Sequence, residues 1–207
     1  MQSFVAAAVA AMLWPSAAGA VTSPANSTVP GFMLLVGHDQ GVPDTTTGVI
    51  LIVARDFANN PVVGRTIEVR LLNCPGARLA QDQLQPGVST RCATHGVTAV
   101  TNQDGIVRFA VLGGGDQDGP PGAGPCVQIY SGGLSLGAAR VAYLDLDGRD
   151  GLGAQDMSIW LTDFGTGEPI GRSDFNGDQV LTADDLSLWL MYWGEAHTTQ
   201  SPATYCP

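Results

Sequence analysis

The residues best suited to chemistry are acidic, and their spacing is regular. Asp174, Asn176, Asp178, Thr182 and Asp185 stand at positions 1, 3, 5, 9 and 12 of a twelve-residue stretch. Side-chain oxygens at these intervals let a tight loop wrap a hard cation, and calcium takes about six to eight oxygen ligands. Val180, at position 7, offers its backbone carbonyl. Leu181, at position 8, is the apolar residue that would anchor the loop to a core.

The stretch has a second copy 29 residues earlier. Asp145–Gly165 aligns with Asp174–Gly194 without gaps, and nine of 21 positions are identical, among them Asp145/Asp174, Gly148/Gly177, Asp156/Asp185 and Trp160/Trp189. Chance would give roughly one or two identities, so the segment is a duplication. In the first copy Asp145, Asp147 and Asp156 hold positions 1, 3 and 12, but Arg149 stands at position 5. A guanidinium cannot coordinate a cation. Asp150, one place later, is the candidate substitute, and Gly151 and Gly153 give the backbone room to present it. The second loop is therefore the more complete calcium site. Each loop is followed by a short helical pattern, 156–164 and 185–193. In the second, Leu186, Trp189, Leu190 and Trp193 share one face, and Leu188 and Tyr192 lie on another.

Other chemistries lack their residues. His38, His95 and His197 are scattered through turn-like or tail contexts, and no GxSxG or HExxH pattern occurs. An enzyme is not expected. The chain has no lysine and a net charge of −10, which argues against nucleic acid as a partner, since phosphates need basic patches. Nine Asp and two Glu fall between Leu144 and Glu195 against two Arg, so the acidity is concentrated where the loops are.

Residues 1–20 read as a secretory signal: Phe4–Trp14 is a short apolar run and Ala18-Gly19-Ala20 a small-residue cleavage pattern. No run reaches membrane-spanning length. Four cysteines, Cys74, Cys92, Cys126 and Cys206, fit two disulfides in an exported chain, and none forms a CxxC pair. A secreted or extracellular protein, either free or held at the cell surface, is expected.

The elements that must position the loops are strands. After a polar segment at 21–30, residues 31–144 carry short β-patterns. Gly48–Ala54 is rich in Val and Ile, and Arg65–Leu72 alternates Ile67, Val69 and Leu71 with polar residues. Val97–Thr101 and Ile106–Val111 flank Asp104-Gly105, and Val127–Tyr130 and Leu136–Leu144 flank Gly132-Gly133, which predicts two hairpins. Pro75–Pro86 and Gly113–Pro125 read as long loops. The predicted class is mainly β: an antiparallel sandwich over 31–144, fused without a linker to a small helical module over 145–195, with a tail at 196–207.

Two family resemblances accompany this reading. Arg55-Asp56, Asn60-Pro61-Val62-Val63-Gly64 and Thr101–Gly105 before Phe109 resemble the bacterial immunoglobulin-like domains of invasin-type adhesins. The duplicated loop and helix, with Asp at position 12 and no entering helix, resembles a type I dockerin. The second resemblance implies two calcium ions, a docking role toward a cohesin-like partner and a setting in polysaccharide catabolism. However, Ala154-Gln155 and Ala183-Asp184 stand where such modules usually carry polar contact residues. That leaves two expectations: a calcium-stapled adhesion protein binding a surface ligand, or a docking subunit of a cohesin-based assembly. Because dockerin topology brings the module's ends together, it also implies Cys206 joined to Cys126 and Cys74 to Cys92, with Cys74–Cys126 and Cys92–Cys206 as the alternative.

Overall fold

The computed structural model describes residues 20–119, 122, 124–167, 170–194 and 200–207. The expected signal at 1–20 lies outside them except for Ala20, and so does His197. Among the described residues there are eleven strands: β1 (Phe32–Val36), β2 (His38–Asp39), β3 (Val42–Pro43), β4 (Val49–Val53), β5 (Thr66–Arg70), β6 (Ala77–Leu79), β7 (Ser89–Arg91), β8 (Gly96–Val100), β9 (Ile106–Gly115), β10 (Val127–Ser131) and β11 (Leu134–Tyr143). Two α-helices follow, α1 (Ala154–Thr166) and α2 (Ala183–Gly194). The architecture is mainly β. One mixed nine-stranded sheet runs in the order β4-β9-β1-β11-β10-β5-β8-β7, with β6 added beside β9.

The expected all-antiparallel sandwich is corrected by β1, which lies between β9 and β11 and runs parallel to both. Its sequence accounts for this place. Phe-Met-Leu-Leu-Val is apolar on both faces, as an interior parallel strand must be, and Met33 to Val36 are all buried. The hairpin expected at Asp104-Gly105 is corrected too. A turn forms there, with the Asn102 N–H on the Ile106 carbonyl at 2.9 Å. Yet β8 pairs with β5 and β7, and β9 with β4, β1 and β6. Four strands separate β8 from β9, about 24 Å in a flat sheet, so so short a turn can join them only because the sheet curls back on itself. The second expected hairpin is present: β10 and β11 pair across Gly132-Gly133.

Both stretches read as long loops contain strand. Ala77–Leu79 forms β6 and pairs with Gly113–Gly115, which extend β9. The three glycines carry no side chain because other backbone lies against them. A Cβ on Gly115 would strike the Leu146 carbonyl and the Tyr143 ring, and one on Gly113 would strike the Arg78 carbonyl. A glycine run that resembles a flexible linker is here the seat on which the acidic segment rests.

The disulfides are Cys74–Cys126 and Cys92–Cys206, not the pairing inferred from dockerin topology. Strand pairing gives the reason. β10 lies antiparallel to β5, with Gln128 opposite Arg70, so the residues before β10 meet those after β5. The C-terminal tail instead runs along β6: Tyr205 bridges Ala80, and the Cys206 N–H donates to the Leu79 carbonyl at 2.8 Å. That course carries Cys206 to the turn holding Cys92.

The dockerin resemblance is overturned, and with it the docking role toward a cohesin. Such a module stands on its own helices and EF-hand-like loops. This chain is mostly β with two α-helices among the described residues, and its 145–194 segment is built into the sheet. Trp160, Phe175 and Trp189 belong to the same buried cluster as Met33, Ile67 and Val141. The Trp189 indole N–H donates to the Leu144 carbonyl at 3.0 Å. The Phe32 ring closes on Gly177, where a Cβ would collide with it. The invasin-type resemblance goes as well, since a mixed sheet with an interior parallel strand is not that antiparallel sandwich.

Candidate metal centre

β11 ends at Tyr143, and the chain turns into the first acidic loop under the glycine end of β9. The Gly115 N–H donates to the Asp145 carbonyl, pinning the loop's first residue to the sheet. Gly148, at φ +67°, sits against the Gly115 carbonyl, where a side chain has no room. Asp156, in the first turn of α1, closes the loop from the other side. Its carboxylate accepts the N–H groups of Leu146 at 2.6 Å, Asp147 at 3.1 Å and Gly153 at 2.7 Å. An aspartate here accepts one helix-start N–H, that of Gly153, and two N–H groups of the loop, aiming its charge inward.

The outcome is a buried acidic cluster. One carboxylate oxygen each from Asp145, Asp147 and Asp156 lies within 4.8 Å of the others, and all three residues are buried. Asp145 also accepts the N–H groups of Gly148 and Arg149, and the Ser201 hydroxyl donates to its Oδ2. Asp147 accepts the Arg149 N–H at 2.9 Å. Burial, together with repulsion from Asp156 and Asp147, raises the Asp145 pKa to about 7. Burial raises that of Asp156 to about 6, although three N–H bonds oppose it. No guanidinium forms an ion pair with any of the three; the ion pairs among the described residues join Arg70 to Glu68, Arg140 to Asp174 and Arg172 to Asp163.

Asp150 is not part of this cluster. It takes φ +57°, is exposed, and lines a surface cleft with Arg149.

The second loop keeps the same backbone form. Gly177 and Gln179 have positive φ, as Gly148 and Asp150 do in the first. Asp185 is buried and accepts the Asn176 and Thr182 N–H groups, as Asp156 does for its own loop. Asp174 is buried as well and accepts the Asp178 and Gln179 N–H groups. The remaining candidates face water: Asn176, Asp178 and Val180 are exposed and Thr182 is half-buried. The Asn176 amide donates to Asp178 at 2.9 Å, turning two candidate ligands toward each other. Arg140 reaches in from β11, its guanidinium 3.4 Å from Asp174 Oδ2 and donating to the Gly177 carbonyl at 2.5 Å. This loop already contains a cation of the protein's own.

Sequence reasoning ranked the second loop first, because it matches ligand types to positions. It missed Arg140, which lies 34 residues before Asp174 and reaches it only through the sheet. It also missed Ser201, which is brought to Asp145 by the tail. Of the histidines, His38 and His95 lie far from the acidic loops in sequence, and His95 meets the Pro207 carbonyl at the chain end. No family model, curated protein or solved structure matches this chain.

Proposed function

We propose that this protein is a secreted, calcium-binding protein without catalytic activity, a binding or adhesion component whose C-terminal segment is held on the sheet by the ion. The observation that carries this reading is the uncompensated triad. Three buried carboxylates with oxygens within 4.8 Å of one another have no guanidinium among them. Buried charges without partners cost several kcal/mol each, roughly, and a hard divalent cation removes both the repulsion and the desolvation penalty. The donors are all oxygen, which favours calcium over zinc or copper. Asp145, Asp147 and Asp156 would hold the ion.

Other features agree with this reading. Both disulfides belong to an oxidising compartment. Among the described residues no helix is long and apolar enough to cross a membrane. All three carboxylates of the triad are buried, as enclosed ligands of a structural ion would be. Leu161 and Phe164 on α1, with Leu190, Met191 and Trp193 on α2, expose apolar surface of the kind that binds. Melting in calcium, in magnesium and in chelator tests the proposal. A hundredfold excess of calcium over its Kd adds about 2.7 kcal/mol. The expected result is a rise of several degrees in calcium only, and coincident melts in all three conditions would refute it.

A further inference from the structure

We propose that the cleft between β6, the 145–156 loop and the C-terminal tail binds a small sugar acid, a ligand with a carboxylate on a hydroxyl-rich body. The cleft measures about 760 Å³, inside the range of about 300–1,000 Å³ usual for small-molecule sites. Arg78, Arg149, Asp150, Gln200, Thr204 and Tyr205 line it.

Charge points to the carboxylate. The chain carries nine arginines, no lysine and a net charge of −10, so it repels anions over most of its surface. Two arginines, Arg78 and Arg149, nevertheless line this cleft, and neither forms an ion pair among the described residues. Arg78 is also held in place: its guanidinium stacks over the Tyr205 ring at 4.2 Å, with one terminal nitrogen beside Gly148 of the cleft wall. A planar fork fixed in this way suits a carboxylate, which it can grip with two bonds.

The rest of the lining points to hydroxyl groups. Asp150, Gln200 and Thr204 offer a carboxylate, an amide and a hydroxyl, the Gln200 oxygen also accepting the Gln40 N–H at 3.2 Å, and among the described lining residues Pro202 and Ala203 are the aliphatic ones. These groups are exposed to water, and a polyhydroxylated body replaces that water with hydrogen bonds where an apolar one does not. The cleft shares Gly148–Asp150 with the acidic loop, but Arg78 belongs to β6. The site therefore does not depend on the metal reading.

Calorimetric titration of the full chain in calcium-containing buffer tests this with three probes: digalacturonate, a sulfated disaccharide and the neutral disaccharide cellobiose. Arg149 is exposed and its side chain makes no ion pair, so Arg149→Gln leaves the fold alone; Arg78→Gln provides the second variant. Digalacturonate should bind, cellobiose should not, and each variant should weaken digalacturonate about tenfold. Equal binding by parent and Arg149→Gln, equal binding of cellobiose, tighter binding of the sulfated probe, or no heat from digalacturonate at millimolar concentration would each overturn it.

Discussion

The two acidic loops share a backbone and differ in how their charge is balanced. In the 174–185 loop Arg140 brings a guanidinium to Asp174 and the Gly177 carbonyl. Just before it, the buried Asp163 is gripped by Arg172 through two bonds of 2.7 Å and accepts the Ser173 hydroxyl at 2.6 Å. In the 145–156 loop three buried carboxylates have only N–H and hydroxyl donors. One copy of the duplication thus has a guanidinium beside its carboxylates, and the other has none among the described residues. The lesson is that ligand spacing describes a loop's shape, while neighbouring elements decide whether its carboxylates meet a balancing charge.

The sharpest break in the comparison should come from the tail. The Cys92–Cys206 bridge closes a separation of 114 residues and holds the segment whose Ser201 bonds to Asp145. Replacing both cysteines by serine should cost roughly 3–5 kcal/mol and also weaken calcium binding. Replacing Cys74 and Cys126, whose bridge joins the end of β5 to the start of β10, should destabilise the protein yet leave calcium affinity intact. Urea unfolding with parallel calcium titrations separates the two, and equal affinity in both variants would remove the tail from the site.

Arg140→Met should make the second loop behave like the first. The pair is partly screened and 3.4 Å long, so its loss should cost about 1–2 kcal/mol in chelator. Calcium should restore part of that loss, because Asp174 is then free to accept an ion. Denaturant melts in both buffers check this. No cost in chelator, or a cost that calcium does not reduce, would end the idea of a built-in cation.

A smaller effect is expected from pH. Asp145 and Asp156 are pushed up to about 7 and about 6 by burial, so the folded state without metal holds their protons more tightly than the unfolded chain does. Their contribution to stability is therefore full below about pH 4 and is lost as the pH rises through about 6 and 7. Chelated protein should melt a few degrees lower at pH 7.5 than at pH 5, and calcium, which binds the deprotonated carboxylates, should cancel that fall. A flat profile in chelator would contradict the raised values.

Much of this was legible in the residues. The β-patterns at 49–53, 66–70 and 127–131, the Gly132-Gly133 hairpin and the duplication all follow from local periodicity and turn chemistry. What was hidden is non-local. The apolar run Phe32–Val36 suits an interior strand but does not name β9 and β11 as its parallel neighbours, and Gly113–Gly115 looks like a linker until Leu146 is seen to rest on it. Arg149 breaks the ligand pattern of the first loop, yet it is exposed at the cleft while its N–H holds Asp145 and Asp147.

The central claim is that the first loop, and not the second, holds the ion. Calcium calorimetry on three proteins tests it most directly: the parent, Asp147→Asn and Asp178→Asn. The Asp147 carboxylate accepts only the Arg149 N–H, which a carboxamide oxygen can still accept, so its replacement removes charge with little change in shape. The account predicts one bound calcium in the parent, none in Asp147→Asn and an unchanged one in Asp178→Asn. Binding that survives Asp147→Asn but disappears in Asp178→Asn would contradict it.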